Sequence, residues 1–181
     1  MTTSYELDPA HSSAQFTVRH MMITNVRGAF SNVKGTMVYD PANPHLCSIE
    51  TVIDATTINT QDAQRDGHLK SGDFLDVEHF PTITFKSTKI APAGDGELTV
   101  TGDLTIHGVT KPVVLKVEGP SAEGKDPWGN TRIGASATTK IKRSDFGLTW
   151  NAALETGGFL VGDDIKIDLE VQAIKAAASA A

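Results

Sequence analysis

Leu98, Val100, Gly102, Leu104 and Ile106 alternate with Thr99, Thr101, Asp103 and Thr105. Side chains that change sides at every residue belong to a strand with one face in a core and one in water. The same period of two recurs along the chain. Ala14, Phe16 and Val18 alternate with Gln15, Thr17 and Arg19, and Val33, Gly35, Met37 and Tyr39 with Lys34, Thr36 and Val38. Cys47, Ile49, Thr51 and Ile53 make a further face, then Ile83, Phe85 and Ser87, then Val113, Leu115 and Val117. Ile133, Ala135, Ala137, Thr139 and Ile141 follow, and Ile165, Ile167, Leu169, Val171 and Ala173 come last. Asp40-Pro41-Ala42-Asn43-Pro44, Ala93-Gly94-Asp95-Gly96, His107-Gly108 and Asp126-Pro127-Trp128-Gly129-Asn130 supply turns between the runs. Short half-buried antiparallel strands at regular spacing predict an all-β sandwich or barrel. No repeat or linker divides the chain, so residues 1–175 read as one domain, with an Ala-rich tail, 176–181, expected to fray.

Two stretches depart from the alternation. Thr60 to Phe74 predicts a short helix, capped by Thr60 or Asp62 and closed by Gly72. Ser144 to Phe159 alternates poorly yet holds Phe146, Leu148, Trp150, Leu154 and Phe159, which predicts an irregular segment closing one end of a barrel.

At 181 residues the chain can bury a core without disulfides or metal. Its net charge of −6 comes with no basic stripe, which argues against nucleic acid as a partner. Cys47 alone permits neither an internal disulfide nor a cysteine zinc cluster, and it reads as a small core residue on a strand. No stretch approaches the roughly 18 apolar residues of a membrane-spanning helix. The first twenty residues show no basic region followed by an apolar run, so a cytoplasmic location is expected.

The inward faces carry several small residues: Ala14, Gly35, Gly102, Ala135 and Ala137. An eight-stranded barrel has an interior wide enough for side chains or for one small ligand. Small inward residues therefore suit a channel, with Phe16, Val18, Met37, Ile49, Phe85, Leu98, Val100, Ile133 and Phe146 as further lining candidates. They equally suit a solid barrel in which they ease strand curvature. The pattern alone leaves both open.

Reactive chemistry finds little support. His68 and His79, with Asp66, Asp73, Asp76 and Glu78, form the densest titratable cluster, but no His-Glu-x-x-His and no helical histidine pair occurs. Neither a metal nor a catalytic residue is assigned. No Gly-x-Ser-x-Gly elbow is present. Arg19, His20 and Arg65 are weak candidates for a ligand's polar head, with Arg27 and Lys70 nearby.

Longer segments carry a family likeness. These are Tyr5-Glu6-Leu7-Asp8-Pro9-Ala10-His11-Ser12 with Phe16-Thr17-Val18-Arg19-His20, and Ile53-Asp54-Ala55 with Ile58-Asn59-Thr60. Arg65-Asp66-Gly67-His68-Leu69-Lys70-Ser71, Asp73-Phe74-Leu75-Asp76 and Phe80-Pro81-Thr82-Ile83-Thr84-Phe85-Lys86-Ser87 follow. The hairpin from Gly102 to Pro112 and Ser144-Asp145-Phe146-Gly147-Leu148 complete the set. From Tyr5 to about Ile174, in matching order, the chain resembles YceI-like proteins. The resemblance implies an eight-stranded antiparallel barrel of lipocalin shape, with an elongated tunnel for polyisoprenoids or related long-chain lipids. It implies no resident cofactor beyond such a bound lipid, and relatives that are often periplasmic and often dimeric. The chain departs in lacking a secretory signal, and the Gly-x-Trp opening of true lipocalins is absent. Two rival readings are an enzyme acting on such a lipid, with His68 or His79 as general base, and a ligand-free interaction or stress module docking around Trp128 and Trp150.

Overall fold

The computed structural model describes residues 1–178. Its strands are β1 (Thr3–Leu7), β2 (Ser13–His20), β3 (Thr24–Phe30), β4 (Val33–Tyr39), β5 (Ser48–Asp54), β6 (Thr82–Gly94), β7 (Glu97–Ile106), β8 (Val109–Glu118), β9 (Gly124–Lys125), β10 (Thr131–Lys142) and β11 (Val161–Lys175). All pairings are antiparallel, and β10 pairs with β11 from Arg132↔Ile174 to Lys142↔Asp164, which closes the sheet on itself. β1 and β2 both lie along β11, Leu7 opposite Ala173 and Ser13 opposite Glu170, so they form one strand line kinked at Pro9–His11. β3 and β4 form a second such line, kinked at Asn32, whose φ is 56°. With β9 a short ribbon on the end of β10, the result is a closed eight-stranded antiparallel barrel. The expected barrel is what forms.

Turn chemistry sets the registers. His107 and Gly108, with φ of 54° and 72°, make the two-residue turn between Ile106 and Val109. Both centres at positive φ match the right-handed twist of the flanking strands.

One helix, α1 (Ala63–Lys70), crosses an end of the barrel. It is shorter than the expected Thr60–Phe74. Asp62 caps it by accepting from the Arg65 amide at 2.9 Å, and Ser71, not Gly72, ends it. Thr60 is instead buried before the helix: its hydroxyl donates to Asp66 at 2.6 Å and accepts from Arg65 Nε at 2.8 Å. The 3-10 turn Arg143–Phe146 and the irregular chain up to Leu160 close the same end, as the aromatic load of that segment predicts. No helix among the described residues is long and apolar enough to cross a membrane. At the start of the tail, the Ala176 amide donates to the Ser4 carbonyl at 2.9 Å. Residues 179–181 lie outside the described residues.

Glycines on the inward faces act as seats for aromatic rings. A Cβ on Gly28 would stand 2.6 Å from Phe16 Cε1 and 2.9 Å from the Thr60 methyl. Phe16 and Gly28 are register partners, so the ring leans over the neighbouring strand instead of crossing the lumen. Gly102 receives Phe85 in the same way, with the Lys86 carbonyl oxygen only 2.6 Å from the position a Cβ would take. Gly35 sits against the β5 backbone, 3.0 Å from Thr51 Cα by the same measure. Gly35 and Gly102, both expected to leave room, therefore open no space.

The far end is tied by Arg132. Its Nε donates to Asp126 and its Nη1 to Asp8, both at 2.6 Å, joining the turn before β10 to the kink after β1. That guanidinium, helped by His11, holds the Asp8 carboxyl down at about 2, and it holds Asp126 well below the usual carboxylate range.

Two predictions follow from these contacts. Gly28→Ala should destabilise the fold by about 1–3 kcal/mol through overpacking, and most of that cost should vanish in a Phe16→Ala background; urea titrations of the four proteins measure the cycle. Because Asp8 and Asp126 bind protons less readily folded than unfolded, they stabilise the fold above about pH 4, and that share is lost as pH falls towards 2. Arg132→Met should therefore lower stability at neutral pH and flatten its fall across this window, read by denaturant titration at each pH.

Candidate lumen site

The barrel interior is hollow. A cavity of about 270 Å³ is lined by side chains from every strand line. On β7 the lining runs from Leu98 to Ile106, a span of about 27 Å along the strand at roughly 3.4 Å per residue. The walls are almost wholly apolar.

Of the expected lining residues, Ala14, Phe16, Val18, Met37, Ile49, Phe85, Leu98, Val100, Ala135 and Ala137 line the cavity. Gly102, Ile133 and Phe146 do not. Phe85 covers Gly102. Ile133 is 3% exposed and packs in a separate cluster with Tyr5, Leu7, Val33 and Ala173, between the lumen and the barrel end. Phe146 points from the closing 3-10 turn into the core, at 1% exposure, and forms part of the plug.

Other lining residues lie on faces the alternation had already marked apolar, such as Leu104, Ile106, Leu115, Ile165 and Leu169. Leu69 from α1 and Leu148 from the irregular segment have no such signal, because neither lies in a run of period two. Cys47 lines the cavity from just after a 3-10 turn, Pro44–Leu46, not from a strand; its thiol faces the Asp40 backbone, with the amide of Asp40 3.2 Å from Sγ.

The polar-head candidates do not reach the lumen. Arg19 is exposed and donates weakly to Asn25 at 3.4 Å, facing out because Val18 faces in. His20 ends β2 opposite Thr24 and is not in the lining. Arg65 is committed to Thr60, with Nη2 2.7 Å from its carbonyl oxygen.

Arg143 is the residue that sequence reasoning missed. It lines the cavity at 6% exposure. Nε donates to the Gly162 carbonyl at 2.8 Å, Nη1 to those of Leu148 and Trp150 at 2.7 and 2.9 Å, and Nη2 to that of Val161 at 3.2 Å. Burial makes the guanidinium easier to deprotonate than usual, and the charge of Asp163 opposes that. A lone arginine at a strand end reads as solvated in sequence, and nothing nearby in the chain marks it otherwise.

The histidines sit outside the lumen. His68 Nε2 is 2.9 Å from Asp73, and its ring meets Trp150 and Phe74 edge-on, with centroids 4.7 and 5.0 Å apart. His79 pairs with Asp76 at 2.9 Å, which raises its pKa. Trp128 is exposed before β10 begins and Trp150 is half-buried after it ends. The two tryptophans thus lie at opposite ends of the barrel and form no common patch.

Comparison with known proteins agrees with this architecture. The family model described as the YceI-like domain matches residues 5–173. A UPF0312 protein of Vibrio cholerae is 42% identical over 139 residues, covering 77% of this chain and 73% of the relative. The crystal structure of Burkholderia cenocepacia BcnA superposes with a TM-score of 0.77 at 26% identity, covering 92% of this chain and 98% of that one. A polyisoprenoid binding domain from Saccharophagus degradans shares the fold, with a TM-score of 0.68 at 19% identity over 96% of this chain and 99% of its own. By sequence along almost its whole length, and by a fold that closes in the same way, this chain belongs to the YceI-like family.

Proposed function

We propose that this protein holds a long-chain isoprenoid, or a similar single-chain lipid, in the barrel lumen and carries it without chemical change. The observation that carries the reading is the long apolar cavity itself. At about 270 Å³ it lies at the lower edge of the usual range for small-molecule pockets, roughly 300–1,000 Å³. Its length along the strands makes it narrow, so a slim chain fits better than a compact ring system. Burying about ten methylene groups, at about 0.8 kcal/mol each, yields about 8 kcal/mol against the ordering cost of binding. The Saccharophagus degradans domain supports the lipid class, since it shares the fold and is described as binding polyisoprenoid.

Carriage without turnover is supported by where the reactive groups stand. His68 and His79 are each paired with an aspartate and neither lines the lumen.

Organic extraction and native mass spectrometry of the purified protein should reveal a long-chain species, or uptake of added isoprenoid. Repeated failure of both would reject the carrier reading. Ala135 and Ala137 stand side by side in projection on the β10 wall, two residues apart. Ala135→Trp or Ala137→Phe should fill the lumen and reduce uptake of an apolar fluorescent probe at least about tenfold, a loss of about 1.4 kcal/mol or more in binding. Circular dichroism should show the barrel intact.

A further inference from the structure

Arg143 is the one charged side chain among the described residues that line the lumen. It is nine-tenths buried, and all four of its hydrogen bonds end on backbone carbonyl oxygens. Carbonyl dipoles solvate a cation without neutralising it. The ion pairs formed among the described residues do not include Arg143. Asp163, whose charge reaches it, has its two oxygens on the Ser144 amide and hydroxyl, at 3.0 and 2.8 Å. A guanidinium has five N–H donors, and Nη2 makes a single protein bond, so one donor is left over. A positive charge in an apolar wall, paired with no carboxylate and keeping a spare donor, is suited to an anionic partner.

We propose that Arg143 receives the anionic oxygen head, carboxylate or phosphate, of the lipid held in the lumen. This rests on the carrier reading of the same cavity. The head lies at the end closed by α1 and the 3-10 turn, and the tail runs towards Tyr39, Cys47 and Pro120, which line the opposite, uncharged end. Charge-assisted bonds to a guanidinium are short and strong, and they favour an anion over an alcohol of the same chain. The chosen class is therefore acidic single-chain lipids.

The test compares farnesol, farnesoic acid and farnesyl phosphate as competitors for a bound fluorescent apolar probe, using the whole protein near neutral pH. At least one acidic ligand should bind about tenfold or more tightly than farnesol, and the stronger of the two identifies carboxylate or phosphate. In Arg143→Gln the ratio of acid to alcohol affinity should collapse to near one. Because Arg143 also ties the closing segment, that variant has a companion, Asp163→Asn, which keeps an acceptor for Ser144 but removes the opposing charge. There the ratio should rise by about threefold. Equal affinities for all three ligands in the unaltered protein, or a ratio that Asp163→Asn leaves unchanged, would overturn the inference while the carrier reading stands. If none of the three displaces the probe, both fall.

Discussion

The pairing of β10 with β11 is the constraint on which everything else depends. It runs the length of β10 and joins the last strands of the chain back to the first through β1 and β2. Once the sheet is closed, the parity of each residue decides whether its side chain meets water or the lumen. A slip of one residue in this register would turn one of the two strands over, either Ala135 and Ala137 outward with Ser136 inward, or Ile167 and Leu169 outward with Lys166 and Asp168 inward. No such barrel would hold together. Function inherits this strictness, because the lumen wall is simply the inward half of the alternation.

A closed barrel of this size does not become hollow by default. Two devices keep it open. On β10 the inward residues opposite Leu169 and Val171 are alanines, which stop short of the centre. Elsewhere large rings are allowed inward because a glycine on the adjoining strand gives each a place to lie, Phe16 over Gly28 and Phe85 over Gly102. The second device supplies greasy wall area without blocking the bore. Small residues thus contribute in opposite ways, some by leaving space and some by giving it to a neighbour.

That distinction explains what the sequence could and could not reveal. Period two identified the strands and most of the wall, since burial and parity are both written in the alternation. It could not separate Ala135, which faces space, from Gly102, which faces a ring, because that depends on the rotamer of Phe85 on the next strand. Nor could it tell Ile133 and Phe146 from true lining residues; all are inward, but packing partners at the barrel ends cover these two. β3 went unread because the middle one of its inward positions, Val26, Gly28 and Phe30, is a glycine, which interrupts the apolar face. Helix limits moved because Thr60 spends its hydroxyl on Asp66 and Arg65, which leaves Asp62 to cap.

Arg143 is where local structure and function meet. The chain leaves the barrel after Leu148 and returns at Val161, and the carbonyl oxygens of Leu148, Trp150, Val161 and Gly162, at the two ends of that excursion, converge on the buried guanidinium. Buried backbone acceptors need donors, and one guanidinium serves four of them, two at each end of that excursion. A lysine, with three donors on a point charge, matches this spread poorly. The requirement to close the barrel end therefore brings a permanent charge to the lumen, whatever the lumen later contains. The interior becomes chemically polar along its axis, charged at the plugged end and neutral beside Tyr39 and Pro120. A bore that is otherwise greasy throughout gains a direction from the residue that seals it.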